Sequence, residues 1–154
     1  MMDERCACGR INAGRVLLGG LLAGFVCTLS GMAVGLLVLH EEAQAFMEGM
    51  KGPPSAGSMF AQHVLMRMAL GFLGVWLYAA IRPRFGPGPR TAVIAGFFMW
   101  LGVWVLAGLV LYELRVYSLR TTAIALLWSL FESVLMVLAG AWPYRDAALR
   151  PAGA

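Results

Sequence analysis

Charge is what this sequence has least of: Asp, Glu, Lys and Arg together make up 13% of its 154 residues, against about a quarter in an ordinary soluble domain. A chain so poor in charge cannot clothe a water-facing surface. With 60% hydrophobic residues and a mean hydropathy of +0.77 it belongs in a bilayer. Histidine is limited to His40 and His63, cysteine to three positions and lysine to Lys51. These shortages exclude a good deal. No His-Glu-x-x-His zinc motif can be written, no nucleophile, base and orienting partner fall at one depth, and several spans leave no length for a separate soluble module, so no enzyme is expected. Cys6 and Cys8 make a Cys-Ala-Cys pair in a leader without histidine, whereas structural zinc needs four ligands; neither metal nor cofactor is expected there. The net charge of +4 reports orientation rather than nucleic acid.

What is present is a set of long apolar runs. Four spans are expected at about 16–39, 60–81, 91–112 and 121–142, each near the roughly 20 residues that cross about 30 Å of hydrocarbon at about 1.5 Å per residue. The expected fold is all-α: an integral membrane four-helix bundle with short loops, forming one domain over 1–154. Around the spans lie a leader (1–15), an outer loop (40–59), a basic loop (82–90) and a tail (143–154). Within the outer loop, 41–50 can form a surface helix ended by Gly52, Pro53 and Pro54. The first run has a rival reading, because a basic leader, an apolar stretch and Ala43-Gln44-Ala45 imitate a secretory signal. Its length of about 24 residues exceeds the roughly 7 to 15 of a signal core and favours a span. Small residues recur every fourth position in it, as Gly20, Gly24, Thr28 and as Ala23, Cys27, Gly31, Gly35. Such stripes let helix backbones approach closely in lipid, so Gly20, Gly24, Gly31 and Gly35 are expected at helix contacts and Cys27 as a small packing residue. Trp100 and Trp104, four apart, share a face that meets lipid or a neighbouring helix.

The middle of the chain, 76–91, divides it into two apolar halves. Trp76 and Tyr78 end a span, Arg82, Arg84 and Arg90 follow, and Pro83, Gly86, Pro87, Gly88 and Pro89 forbid a continuous helix. Arg5, Arg10, Arg15, Arg82, Arg84, Arg90, Arg145 and Arg150 fall on one side, against Lys51, Arg115 and Arg120 on the other. The basic side is cytoplasmic by the positive-inside rule, which places both termini inside, 40–57 outside, and Cys6 and Cys8 in a reducing compartment. Trp76, Tyr78, Trp142 and Tyr144 fall at headgroup level on the cytoplasmic side. Trp76-Leu77-Tyr78 and Trp142-Pro143-Tyr144 end spans two and four alike, while Gly14-Arg15 and Pro89-Arg90 open spans one and three, the pattern of a short parallel repeat. The loop Arg82-Pro83-Arg84-Phe85-Gly86-Pro87-Gly88-Pro89-Arg90, with Trp76 to Ile81 before it and Thr91 after, resembles that of a group of small bacterial four-span membrane proteins. The likeness extends more loosely over the glycine-rich first span, the Glu-Ala-rich outer loop and the Ala-Gly-Ala-Trp end of span four. It implies a four-span fold and an inner-membrane location, and carries no activity or site.

Two charges, Arg67 and Glu132, lie well inside the spans. Each adds about 2.5 to 3.5 kcal/mol to the cost of inserting its helix, so both are expected to face the protein interior and to satisfy each other. Counted inward, they differ in depth by roughly 6 Å, within reach of an arginine side chain. His63 and Ser129, one turn before each, would complete a polar network of His63, Arg67, Ser129 and Glu132. Two roles stay open for it: an ion pair that fixes helix packing, or an ion or proton pathway. His40 and His63 could ligate a haem from facing helices, but His40 belongs at the water boundary, where it needs no ligand role. The sequence thus points to a small membrane protein in contact with lipid and with copies of itself or other membrane subunits. Its expected role is that of a structural or accessory subunit; the alternative is a small-solute or ion transporter or channel.

Overall fold

Three of the four long helices start where a short polar side chain satisfies the free N–H groups of the first turn. Asn12 Oδ1 accepts from the Arg15 amide ahead of α1 (Ala13–Leu37), and Ser55 Oγ accepts from Ser58 ahead of α3 (Ala56–Phe85). Ser118 Oγ accepts from Thr121 ahead of the last helix, α6 (Leu119–Ala141). The third span instead starts at Gly88 with Pro89 at its first helical position, where a missing N–H loses nothing. That span is composite: α4 (Pro89–Met99), a π-helical stretch (Trp100–Val105) and α5 (Leu106–Glu113). A short α2 (His40–Glu48) follows α1. The computed structural model describes residues 11–49, 52 and 54–144. Cys6, Cys8, Lys51 and the tail beyond 144 lie outside them, with the expectations placed there.

The chain is all-helical, and α1, α3, the composite third span and α6 are each long and apolar enough to cross a membrane. It is a multi-pass membrane four-helix bundle. Every helix exceeds its expected limits somewhere, most clearly α3, which runs through Pro83 to Phe85. Pro83 does not stop it: this close to the C-terminus a proline removes one hydrogen bond from a turn that is ending anyway. The stop is Gly86, whose φ of 83° leaves the helix while its amide still bonds Arg82 O at 2.8 Å. Gly88, at φ 132°, then aims the chain into α4.

Within the bundle α1 packs on α3 and α6, α4 packs on α6 and α3, and α3 meets α6 across the middle, whereas α1 and α4 do not touch. Glycine sets the separations. A Cβ on Gly24 would stand 2.8 Å from the Cα of Met68, and one on Gly71 would fall inside the backbone of Gly24. Gly20 lies flat against Phe72, and Gly96 of α4 meets the backbone of α6 at Ser133 and Val134. Gly35 is different: nothing lies within 4 Å of where its Cβ would be, so it makes no helix contact within this chain. It falls where the helix ends diverge. The expected stripe is therefore a contact surface from Gly20 to Gly31 and not beyond.

The two ends of the bundle differ. At the end carrying Asn12, the 86–88 loop and Tyr144, the helices close over Tyr78 and Tyr144, which are 3% and 5% exposed. Trp76 and Trp142 face outward as headgroup residues would, but the tyrosines do not: their rings meet edge to face at 5.8 Å inside the bundle. Each accepts a hydrogen bond from the amide that caps a neighbouring span, Tyr78 from Gly88 and Tyr144 from Asn12, both at 3.4 Å. At the other end the first turns of α3 are exposed, and α5 touches α6 alone among the other long helices.

Candidate functional site

The structure brings Arg67 and Glu132 together about midway along the bundle. A guanidinium N–H donates to Glu132 Oε2 at 2.7 Å, and Glu132 is 2% exposed. Three further groups enclose the arginine. Its Nη1 reaches Cys27 Sγ at 3.4 Å, its guanidinium carbon lies 4.9 Å from the centre of the Trp104 ring, and Gly31 lies beneath it so closely that a Cβ there would stand 2.5 Å from Nη2. Each contact has a reason in the local fold. Gly24 and Gly71 draw α1 and α3 close enough for Cys27 to reach Arg67, and Gly31 leaves the space the side chain fills. The same Nη1 touches Glu132, so the thiol lies beside the ion pair, near both charges, and is part of the polar cluster rather than a mere small packing residue.

Trp104 reaches the arginine because of the π-helix. Along α4, Ala92, Ala95, Gly96 and Met99 are buried in the bundle. Four residues on, Val103 packs against the apolar core, and Trp104, one residue further, reaches the arginine, with Gly108 and Leu111 continuing the wall beside it. The wider π turn accommodates that extra residue. Trp100, at its start, donates its indole N–H to Leu126 O of α6 at 2.9 Å. Both indoles thus serve contacts inside the protein, and one of them packs against a charge. Sequence spacing placed them on a common face and had no way to register the π turn.

The remaining expected members of the network are placed otherwise. Ser129 is buried beside Glu132, but its hydroxyl donates to Leu126 O at 3.0 Å and bonds neither charge. A serine within a helix finds a carbonyl of its own preceding turn more readily than a partner across the bundle. His63 turns toward the main chain of Thr28 on α1, its Nε2 buried without a partner. His40 is exposed at the start of α2. Arg82 lies over the rings of Tyr144 and Tyr78, at 5.3 and 6.0 Å, while Arg84 and Arg90 are exposed around it. Among the described residues no three His, Cys, Asp or Glu side chains converge as a metal site would require.

A cavity of about 270 Å³ adjoins the ion pair. Val34 and Leu39 line it on one side and Ala107, Gly108 and Leu111 on the other, with α6 as its floor and Arg67, Trp104 and Glu132 at its inner end. Since α1 and α5 make no contact, the gap between them is its mouth. Toward the Tyr78 end the site is closed by a layer of buried apolar side chains: Val75, Ala79, Ala92, Ala95, Met99, Met136 and Val137. Glu132 Oε1 and Ser133 Oγ are buried near that layer without hydrogen-bond partners. The polar cluster is thus entered from one end and stops at the middle of the bundle. Comparison with protein-family models, with curated proteins and with solved structures returns no match for this chain.

Proposed function

We propose that this protein is a non-enzymatic membrane subunit, structural or accessory in role, in which Arg67 and Glu132 lock α3 to α6. The observation that carries this reading is the apolar layer beneath the pair. An ion or proton route needs polar groups or water along its length, and seven apolar side chains stand between the carboxylate and the Tyr78 end. Enclosure of the guanidinium by a carboxylate, a thiol and an indole face also suits a fixed lock better than a carrier site that must release what it binds. The arginines at the end carrying both described termini favour a cytoplasmic assignment for it, and the loop resemblance favours a bacterial inner membrane. Copies of the same chain or other membrane subunits would cover the exposed apolar faces.

A second reading, transport of a small solute or ion, draws on the cavity beside the pair. Reconstitution into liposomes separates the two. The proposed role predicts no proton or alkali-cation flux above that of protein-free liposomes, for the native chain and for the folded Arg67→Met, Glu132→Leu double variant alike. Flux in the native chain that disappears in a folded double variant would establish transport and remove the accessory reading.

A further inference from the structure

The lock uses only one nitrogen of the buried arginine. Nη1 meets both Glu132 Oε2 and Cys27 Sγ, while Nε and Nη2 have no hydrogen-bond partner among the described residues. The arginine side chain keeps 11% of its surface accessible, and Arg67 forms part of the wall of the cavity of about 270 Å³. A guanidinium donor left unpaired at this depth costs free energy until an acceptor reaches it. The rest of the wall is mainly aliphatic and aromatic, from Leu39 and Tyr117 at the end opposite Tyr78, past Leu126 and Trp128, to Trp104 beside the arginine. Apolar and aromatic walls that converge on a few placed polar groups are the usual make-up of a small-molecule site.

Three constraints define what the cavity takes. Arg67 and Glu132 are neutral as a pair, so an anion would meet the carboxylate and a cation the guanidinium, whereas a neutral carbonyl oxygen meets neither penalty. The arginine lies about midway along the bundle, on the order of 15 Å below the headgroups, deeper than the ester carbonyls of a phospholipid, which stay at the interface. The acceptor therefore belongs to a molecule that dissolves whole in the hydrocarbon. The volume is just under the roughly 300 Å³ at which ligand pockets begin, room for one ring and not for a long chain. The gap between α1 and α5 gives such a chain its way into the bilayer. From these observations we infer that the cavity binds the ring of a membrane-soluble quinone, with one carbonyl oxygen accepting from Arg67 and the apolar tail leaving between α1 and α5. This binding goes beyond the lock and leaves it closed, because Nη1 stays with Glu132.

Thermal unfolding of the full chain in detergent micelles loaded with decylubiquinone, or with decylbenzene as a ligand of the same tail and no carbonyl, tests this. A ligand that binds the folded chain raises its unfolding temperature with concentration, by mass action. The expected result is an apparent affinity for decylubiquinone roughly tenfold above that for decylbenzene, the factor that about 1.4 kcal/mol gives. Ala125→Leu fills the cavity from α6 without altering charge and should abolish the preference. The Arg67→Met, Glu132→Leu double variant keeps the cavity but removes the donor, and should bring decylubiquinone down to the level of decylbenzene. Ala69→Leu, at an exposed position of α3, should leave the preference as it was. Equal effects of the two ligands on the native chain, no rise with decylubiquinone, or a preference that survives Ala125→Leu or the double variant would overturn the assignment. Unfolding of the Arg67 and Glu132 variants without ligand reads the lock itself, so the two proposals fail separately.

Discussion

The two halves of the bundle begin alike and end differently. In each, a tyrosine closing the second helix of one half accepts from the capping amide of the other half's first helix, Tyr78 from Gly88 and Tyr144 from Asn12. In each, a glycine one or two turns further in brings the helix pair together, Gly20 against Phe72 and Gly96 against Ser133 and Val134. Past that level they part. The first half stays close, with Gly24, Gly31 and Gly71 letting backbone meet backbone and arginine, whereas the second half widens at the π-helix and leaves a cavity beside Leu111. Close approach of two helices in lipid thus depends on a run of small residues sustained turn after turn. Where Trp100, Val103 and Trp104 interrupt the run, separation follows.

The ion pair is the one salt bridge among the described residues, and it joins the halves. Its removal should therefore produce the largest effect. Arg67→Met or Glu132→Leu alone leaves an uncompensated buried charge and should destabilise by about 3 to 5 kcal/mol, while the double variant should recover most of the loss. Unfolding in mixed detergent micelles measures all three; a double variant as unstable as the worse single one would show that the charges do not act on each other. Next in size is the contrast between glycines. Gly24→Leu should cost about 1 to 3 kcal/mol or more by forcing α1 off α3, whereas Gly35→Leu and Gly102→Leu, where open space surrounds the position, should leave thermal stability nearly unchanged. Equal losses at all three positions would erase the difference between glycines at a helix contact and glycines in open space. The smallest expected effect sharpens the likeness: Tyr78→Phe and Tyr144→Phe should each lose about 0.6 kcal/mol, the average for a hydrogen bond inside a membrane protein, and should lose it equally. A loss confined to one of them, read by the same unfolding assay, would make the two caps unrelated.

Much of this was legible in the residues because membrane physics is strict about a few of them. An uncharged run of about 24 residues has one economical use, and two lone charges at comparable depth have few partners other than each other. What escaped was local backbone geometry. Pro83 reads as a helix breaker until its distance from the helix end is known, and Gly86 is the actual stop. Cys27 and Ser129 look equally plausible as neighbours of a charge. Only the closeness of α1 to α3 puts the thiol against Arg67, beside the ion pair, while the hydroxyl stays with its own helix. Tyr78 and Tyr144 look like membrane-edge aromatics, and their burial depends on facing each other, which no sequence window of one span contains.

The π-helix has a consequence for how the third span tolerates changes in length. One residue added to or removed from an α-helix turns everything beyond it by about 100°. In α6 such a change before Glu132 would swing the carboxylate off Arg67. Between Trp100 and Val105 the third span already holds one residue more than an α-helical path from Met99 to Trp104 requires. Excision of Leu101 or Gly102, both facing outward, would shorten the step from Met99 to Trp104 from five residues to four and let α-helix run through without moving the indole from the arginine. This span, alone among the four, carries a slack link at mid-bilayer that can be taken up.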